Sequence, residues 1–275
     1  MITGCIIQAR MTSTRLPRKV LRVIDFEEQK SVLEQVVERV KCVQQIDKII
    51  IATTVNPDDD EVVEVAEKLG VGVHRGSEKD VLERFAEAAE KFSLDTVIRI
   101  TSDCPFLDPD VISALIDLFY EGGYDYASNC IRRTFPHGLD CEILKYDLLE
   151  WMHKNASDSF SREHVTSFIT SHLDDYRIGS LEDDEDNSQI RITVDTVNDY
   201  VLACVLNDLL REEKDPMSRK AVLDCYKKHP YLPLINGDIM QKKQFGSFEE
   251  ELSEAVKLLK LQEMNRAADA LSNLS

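Results

Sequence analysis

"GCIIQARMTSTRLPRKVL", residues 4–21, joins a short apolar run to a basic segment. The isoleucine-rich start is typical of a buried strand. The segment after it carries Arg10, Arg15, Arg18 and Lys19, although the whole chain is acidic, with 33 Lys and Arg against 51 Asp and Glu. Cations gathered after a strand are suited to binding a polyphosphate. A basic surface loop without a ligand is an alternative of equal weight.

Outward from this stretch, short runs rich in Ile and Val alternate with helical patterns of apolar residues. This alternation predicts an α/β domain whose central sheet is mostly parallel and carries helices on both faces. Ligands of such sheets bind beyond the carboxyl ends of the strands, so the loops 8–19, 74–80 and 102–110 are candidates for a site. Strands are predicted at 4–8, 48–54, 71–74 and 95–101, and helices at 31–43, about 59–69 and 80–92.

From about residue 124 the pattern changes, and strands and helices no longer alternate regularly. A domain of residues 1–240 is predicted, followed by a helical tail of residues 241–275 that packs on the domain or forms a homodimer contact. The later predicted elements are strands at 124–129, 138–144 and 189–195, and helices at 148–156, 161–173 and 197–213.

Composition excludes several classes of protein. The 275 residues are 43% hydrophobic, which is enough for a large core, and the net charge of -18 argues against broad binding to nucleic acid or to an anionic membrane. We expect a cytoplasmic protein, because the chain lacks both a membrane-spanning run and a signal-peptide pattern at its start. Seven cysteines without a CxxC pair are expected to be reduced thiols and not a zinc site.

Two aspartates lie where strands are predicted to end. Asp103 follows the strand at 95–101, and Asp108 is better placed to cap the next helix because a proline follows it directly. Asp103 is therefore a candidate ligand for Mg²⁺, which prefers carboxylate and phosphate oxygens. Asp195 is a second candidate, but helix capping is its alternative and is favoured by spacing alone. Cys104 suggests a nucleophile, although buried packing is the better interpretation.

Five ordered segments within residues 6–200 resemble the cytidylyltransferase family. The branch they resemble most is the spore-coat polysaccharide biosynthesis protein F type, which is related to the 3-deoxy-manno-octulosonate and acylneuraminate cytidylyltransferases. Each segment is weak alone, but together and in this order they are specific. The segments are "QARMTSTRLPRKVL", "RITSDCPFLDP", "FPHGLDCEIL", "SREHVT" and "RITVDTVND".

The resemblance implies a nucleotide-diphospho-sugar transferase fold, which is Rossmann-like, and a reaction that joins CTP to a sugar or sugar acid as a CMP-sugar and releases pyrophosphate. It also implies Mg²⁺ as cofactor and a role in surface polysaccharide biosynthesis. On matching positions it implies nucleotide binding by Gln8, Ala9, Arg10, Ser13, Arg15, Lys19, Gly76, Asp80 and Asp103, acceptor binding by His137, Asp140, Arg162, Glu163 and His164, catalysis by Arg10, Lys19, Asp103 and Asp195, and metal coordination by Asp103 and Asp195.

The chain departs from the family pattern at two positions where glycine is usual, Arg18 and Ser102. Because arginine lacks the conformational freedom of glycine, the loop is expected either to adopt an ordinary negative φ at Arg18 or to hold that residue under strain. Two other functions stay open. One is a metal-dependent glycosyltransferase that uses a nucleotide-sugar, and the other is a non-catalytic relative that binds nucleotide. The loop cations Arg10, Arg15 and Lys19 favour a triphosphate substrate over a nucleotide-sugar.

Overall fold

The computed structural model describes residues 1–170, 172, 175–239 and 247–272. The chain divides into two compact units, Met1–Gly237 and Asp238–Ser275. The predicted domain boundary between residues 240 and 241 lies outside the described residues, and the packing or homodimer role of the tail stays a prediction. In the described ranges, no helix has both the length and the apolar character needed to span a bilayer.

A seven-stranded sheet forms the centre of the first unit, with strand order β5-β4-β1-β6-β8-β7-β9. Neighbouring pairs are parallel except β6 with β8 and β8 with β7, so β8 alone runs against the other strands. The sheet is mostly parallel, as predicted. Its strands are β1 (Thr3–Gln8), β4 (Lys48–Thr54), β5 (Gly72–Gly76), β6 (Thr96–Thr101), β7 (Tyr126–Ser128), β8 (Glu142–Lys145) and β9 (Ile178–Ser180), and β2 (Val23–Asp25) and β3 (Lys30–Ser31) pair separately.

Twelve α-helices occur in the part of the chain that the structure describes. Their ends follow local capping chemistry: α1 begins at a capping box made by Ser31 and Glu34, and α4 begins at Asp108, whose carboxylate accepts the Asp110 N–H at 2.8 Å. The helices are α1 (Val32–Lys41), α2 (Asp60–Leu69), α3 (Val81–Lys91), α4 (Pro109–Gly122), α5 (Tyr146–Asn155), α6 (Ser159–His164), α7 (Ser167–Thr170), α8 (Val197–Leu210), α9 (Arg219–Lys228), α10 (Leu232–Asn236), α11 (Phe248–Leu261) and α12 (Asn265–Ser272).

Apolar side chains cover both faces of the sheet because alternate strand residues point in opposite directions. Ile7 of β1 lies in a core with α1, α2 and α4, whereas its neighbour Ile6 lies in a core with α3 and α5. A third cluster joins α8, α9 and α10 to Leu16 of the basic loop and to Leu139. This third core fixes the loop after β1 against the segment that precedes α8.

Three predicted elements differ from the structure. The segment 189–195 forms no strand; its neighbours are loops, and it contributes an isolated bridge between Arg191 and His137. The predicted helix at 161–173 is broken at Val165, where φ is 55° and α6 ends. The helical tail is divided into α11 and α12, which pack against each other.

Gly138 makes the bridge to Arg191 sterically feasible. Its φ is 109°, and a Cβ added there would lie 2.8 Å from the Thr193 backbone nitrogen. His137 donates its N–H to the Ile190 carbonyl at 2.8 Å and accepts the Ile192 N–H at 2.7 Å, so the two backbones lie against each other. Glycine is required by both the conformation and the close approach.

We predict that Gly138→Ala destabilises the protein by about 3 kcal/mol, because backbone strain and a clash with rigid backbone add together. The matched control is Gly70→Ala at the end of α2, where φ is 67° but no atom lies within 4 Å of the added Cβ. Gly70→Ala should lower the free energy of unfolding by about 1 kcal/mol, because only the backbone conformation is unfavourable there. Urea denaturation of both variants measures the difference, and equal losses would contradict the close approach at Gly138.

Candidate active site

The basic loop after β1 is anchored to the end of β4. The buried carboxylate of Asp59 accepts the N–H of Met11 at 2.7 Å with one oxygen and the N–H of Thr54 at 3.2 Å with the other. The Met11 carbonyl in turn accepts the N–H groups of Ser13 at 3.0 Å and Arg18 at 3.2 Å. These bonds close the loop on itself and fix where its cations lie.

Lys19 lies at the centre of the candidate site. Its Nζ donates to Asp103 Oδ2 at 2.6 Å and to Asp195 Oδ1 at 2.8 Å. Arg15 Nη2 lies 3.0 Å from the same Asp195 oxygen. The structure therefore brings together four of the predicted site residues, two cations from the loop and two carboxylates from distant segments.

Backbone contacts hold the two aspartate segments together. Val194 N–H donates to the Asp103 carbonyl at 2.8 Å, and the Thr193 hydroxyl donates to the same oxygen at 3.1 Å. Asp103 follows β6, next to β1 at the point where the strand order reverses. Such a reversal opens a crevice at the carboxyl ends of a parallel sheet.

Helix capping, the alternative role for Asp195, is excluded by the structure. Thr196 caps α8 and forms a capping box with Asp199. Arg191 donates through Nη2 to Asp195 Oδ2 at 3.0 Å and through Nε to Asp199 Oδ1 at 2.9 Å. Asp195 is thus held beside α8 by Arg191 and directed at Lys19.

The charges of this cluster change the ionisation of its members. Burial alone would raise the pKa of Asp195, but Lys19, Arg15 and Arg191 lower it to about 2. Burial likewise opposes the charge of Lys19, whereas Asp103 and Asp195 raise its pKa above the ordinary lysine value. Both groups are charged at neutral pH, so the cluster is an array of fixed charges.

The two carboxylates fit a divalent cation in chemistry and in number. Asp103 and Asp195 both bind Lys19 Nζ, so their carboxylates lie close enough together to share a cation. Within the described ranges, no group of three or more His, Cys, Asp or Glu residues is arranged to hold a metal ion. Two carboxylates suit Mg²⁺, since that ion usually binds through one or two protein carboxylates and takes its other ligands from phosphates and water.

The other predicted nucleotide-binding residues lie at the end of β1, in the basic loop, and between the end of β5 and the start of α3. Gln8 ends β1, and Ala9 donates its N–H to the Ala52 carbonyl at 3.1 Å. Ser13 Oγ accepts the Leu16 N–H at 3.4 Å. Gly76 ends β5, Asp80 caps α3 by accepting the Glu83 N–H at 2.8 Å, and Arg10 is exposed.

The predicted acceptor residues fall into two groups. Asp140 is held by Arg133, whose two Nη atoms donate to its two oxygens at 2.5 and 3.0 Å. Burial and the nearby Arg133 lower the pKa of His137 to about 4, so its imidazole is neutral at pH 7. The second group lies on α6 and comprises Arg162, Glu163 and His164.

An ion pair links α6 to one of the predicted nucleotide residues. Arg162 Nε lies 2.8 Å from Asp80 Oδ2 at the start of α3. Glu163 is exposed, and the His164 ring stacks on Phe160 with centroids 4.3 Å apart. The pair fixes α6 beside the loop that follows β5.

Sequence reasoning missed Arg133 and Arg191. Both pair with aspartates that it did select, Asp140 and Asp195, at separations of seven and four residues. Arg191 is the first residue of the matching segment "RITVDTVND", and Arg133 lies two residues before "FPHGLDCEIL", which was the available signal. Cys104 is confirmed as a packing residue, because burial and Asp103 raise the pKa of its thiol far above the ordinary cysteine value.

Arg18 takes the second of its two expected conformations. Its φ is 59° and its ψ is 25°, in the left-handed region, so the loop keeps the geometry that glycine would favour. The Arg18 guanidinium pairs with Glu61 on α2 and not with the Lys19 cluster. Ser102 does not have a positive φ, and its N–H donates to the Gln8 carbonyl at 3.1 Å. Serine is therefore accommodated there without strain.

A family model described as Cytidylyltransferase matches residues 4–262. The chain belongs to the cytidylyltransferase family. Among similar proteins, Uncharacterized protein MJ1063 of Methanocaldococcus jannaschii is 36% identical over 242 residues, which are 86% of this chain and 95% of that protein. Spore coat polysaccharide biosynthesis protein SpsF of Bacillus subtilis is 36% identical over 199 residues, covering 71% of this chain and 82% of its own length.

Solved structures agree with this assignment. A cytidylyltransferase from Leptospira borgpetersenii superposes with a TM-score of 0.79 at 30% identity, covering 88% of this chain and all of that one. CMP:2-keto-3-deoxy-manno-octonic acid synthetase, solved with CTP, superposes with a TM-score of 0.58 over 75% of this chain; at 16% identity it supports the fold alone. The cytidylyltransferase chain has the predicted nucleotide-diphospho-sugar transferase fold.

We predict that acid weakens the wild-type fold more than the Asp195→Asn fold. The pKa of Asp195 is depressed from 3.8 to about 2 on folding, so its contribution is complete above the unfolded value and is lost as pH falls through the folded one. Between about pH 5 and pH 2 the wild type should lose about 2 kcal/mol more than the variant. Urea denaturation at several pH values measures this.

The control for this prediction is Asp184→Asn, which changes an exposed aspartate of the loop before α8. It should follow the wild-type pH dependence. The same acid sensitivity in Asp195→Asn and in the wild type would show that Lys19 and the arginines do not depress this pKa.

Proposed function

We propose that the protein transfers a cytidylyl group from CTP to a hydroxyl of a sugar or sugar acid, releases pyrophosphate, and supplies the CMP-sugar for surface polysaccharide biosynthesis. The observation that carries the proposal is the cluster of Arg15, Lys19, Asp103 and Asp195 at the switch point of the sheet. Arg15 and Lys19 supply charge for the leaving pyrophosphate, and the aspartates supply oxygens for a metal.

The reaction requires in-line attack of the acceptor hydroxyl on the α-phosphorus while the bond to the β-phosphate oxygen breaks. Negative charge develops on the leaving pyrophosphate, where fixed cations stabilise it most. Arg15 and Lys19 are prearranged for this because the loop is closed by backbone bonds and anchored by Asp59. Mg²⁺, held by Asp103 and Asp195, would polarise the α-phosphoryl group and offset its charge.

The acceptor is proposed to bind between the two groups of predicted acceptor residues. Asp140 offers carboxylate oxygens to sugar hydroxyls, and its bidentate bond to Arg133 fixes its orientation. His137 is neutral, so it can donate one hydrogen bond and accept another. Arg162 is the cation suited to a sugar-acid carboxylate.

The cytoplasmic location of the protein stays a prediction.

Relatives support the substrate class without identifying the substrate. The name of the Bacillus subtilis relative refers to spore coat polysaccharide biosynthesis. A 3-deoxy-manno-octulosonate cytidylyltransferase from Nitratiruptor sp. is 29% identical over 144 residues, half of each chain. We therefore propose a sugar acid as the first acceptor to test.

The deciding experiment incubates the protein with CTP, Mg²⁺ and a panel of ulosonic acids, deoxy sugars and sugar phosphates. Our proposal expects pyrophosphate together with a product whose mass is that of a CMP-sugar. Release of a nucleoside diphosphate from a nucleotide-sugar would favour the glycosyltransferase alternative. CTP binding without turnover of any acceptor would favour the non-catalytic one.

We predict that Asp103→Asn and Asp195→Asn each lower turnover by at least about a thousandfold at saturating Mg²⁺, because a metal with one carboxylate removed is incompletely coordinated. Both variants should fold, because Arg191 still pairs with Asp199, and Lys19 still pairs with whichever of Asp103 and Asp195 is not substituted. Pyrophosphate release measures turnover, and circular dichroism checks the fold.

The control for the aspartate variants is Asp208→Asn on the exposed side of α8, which should turn over like the wild type. Near-normal turnover of either site variant would rule out metal coordination by that residue.

Arg15→Ala and Lys19→Ala are each predicted to weaken CTP at least about tenfold more than CMP, because only the triphosphate extends to the β- and γ-phosphates. Lys220→Ala on α9, a largely exposed lysine, should change neither affinity. Calorimetric titration with both nucleotides tests this, and equal losses for CTP and CMP would place these cations elsewhere.

A further inference from the structure

The chain turns sharply at Val165, directly after the last residue of α6. Its φ of 55° and ψ of -70° belong to a strained γ-turn, closed by the Thr166 N–H, which donates to the His164 carbonyl at 2.6 Å. Val165 is β-branched and completely buried. A residue of this type holds a positive φ only where its surroundings impose it.

A buried carboxylate holds the turn in place. Thr166 Oγ1 donates to Glu142 Oε1 at 2.6 Å, and the Tyr126 hydroxyl donates to the same oxygen at 2.6 Å. Arg99 Nη1 pairs with the other oxygen, Oε2. Glu142 is therefore satisfied by three donors that come from β6, β7 and the turn.

The other end of this network reaches β1. Arg99 and Glu142 are directly opposite each other in the antiparallel ladder of β6 and β8, which is the reason the reversed strand places the carboxylate there. Arg99 Nη2 donates to Gln8 Oε1 at 3.4 Å. Gln8 is the last residue of β1 and leads into the loop that carries Arg15 and Lys19.

The turn also decides where α6 ends. The last three residues of α6 carry the proposed acceptor roles, and Arg162 ties the same helix to Asp80 at the start of α3. The helix has only six residues and depends on its attachments for a fixed position. Its attachments include the ion pair of Arg162 with Asp80, the bond from Arg162 Nη1 to the His153 carbonyl at 2.7 Å, and the bond between Thr166 and Glu142.

We propose that Thr166 and Glu142 are positioning residues that hold α6 in place and, through Arg99 and Gln8, couple it to the nucleotide loop. The acceptor side of this inference rests on the proposed function. Buried networks of satisfied polar groups are rigid, so a change at one end is felt at the other. Because such coupling is reciprocal, nucleotide bound near Gln8 orders α6, and an ordered α6 favours nucleotide.

The test is hydrogen exchange of the full-length protein in the peptide that contains residues 159–166, with and without CTP and Mg²⁺. Without nucleotide, Thr166→Val should raise exchange there about tenfold, because the bond to a charged acceptor is lost. In the wild type, CTP should slow exchange in this peptide. Thr166→Val should lose that slowing and, because the coupling is reciprocal, should bind CTP more weakly than the wild type.

Two controls separate positioning from general loosening. Thr166→Ser keeps the hydroxyl and should behave like the wild type. Tyr126→Phe removes another donor from the same carboxylate but leaves the bond to α6, so it should keep the CTP-dependent slowing. In Thr166→Val itself, Glu142 retains Tyr126 and Arg99, and no buried carboxylate is left without donors.

Unchanged exchange in Thr166→Val, or CTP-dependent slowing that persists in it, would overturn the inference. Loss of the slowing in Tyr126→Phe as well would also overturn it, because the effect would then belong to the core and not to the turn. A wild-type protein that does not bind CTP would refute the proposed function and the coupling, whereas the comparison without nucleotide would still test the anchoring of α6.

Discussion

The ammonium group of Lys19 between two carboxylates is the interaction on which the site depends. It joins the basic loop to Asp103, which is 84 residues further along the chain, and to Asp195, which is 176 residues further along. Two carboxylates this close would repel each other without a cation between them. Lys19 must therefore be held in one position. Asp59 fixes the start of the loop through the Met11 N–H, and the third core fixes Leu16 within the loop.

The sheet explains why these segments meet. β1 lies between β4 and β6, so the chain moves first to one side of β1 and then to the other, and the loops after β1 and β6 share one crevice. β8 then enters antiparallel beside β6 and places Glu142 opposite Arg99. The antiparallel direction of β8 therefore places the polar network on strands next to the site. The network extends from Gln8, before the basic loop, to Thr166, after α6.

The sequence was sufficient for the repetitive part of the fold but not for contacts between distant segments. β1, β4 and β6 are short runs rich in Ile, Val and Thr, which have strong strand preference, and the prediction for residues 48–54 matches β4 at both ends. Residues 189–195 are also rich in β-branched residues, but their neighbours are loops, and whether a strand has a partner is not encoded in its own residues. Spacing alone favoured Asp195 as a helix cap, whereas Thr196 takes that role because the capping box with Asp199 satisfies the helix end better.

Five non-glycine residues in the described ranges have a positive φ, and two of them, Arg18 and Val165, adjoin groups of proposed site residues. Glycine would be easier at Arg18, and its exposed ion pair with Glu61 contributes too little to explain the conformation. The bond from the Arg18 N–H to the Met11 carbonyl imposes it instead, just as the bonds of Thr166 impose the turn at Val165. Arg18 directly precedes Lys19, and Val165 directly follows His164. Gln29, Ser93 and Glu263 also have a positive φ but do not adjoin a proposed site residue, so a positive φ by itself does not mark a site, and the hydrogen bonds at Arg18 and Val165 carry the argument.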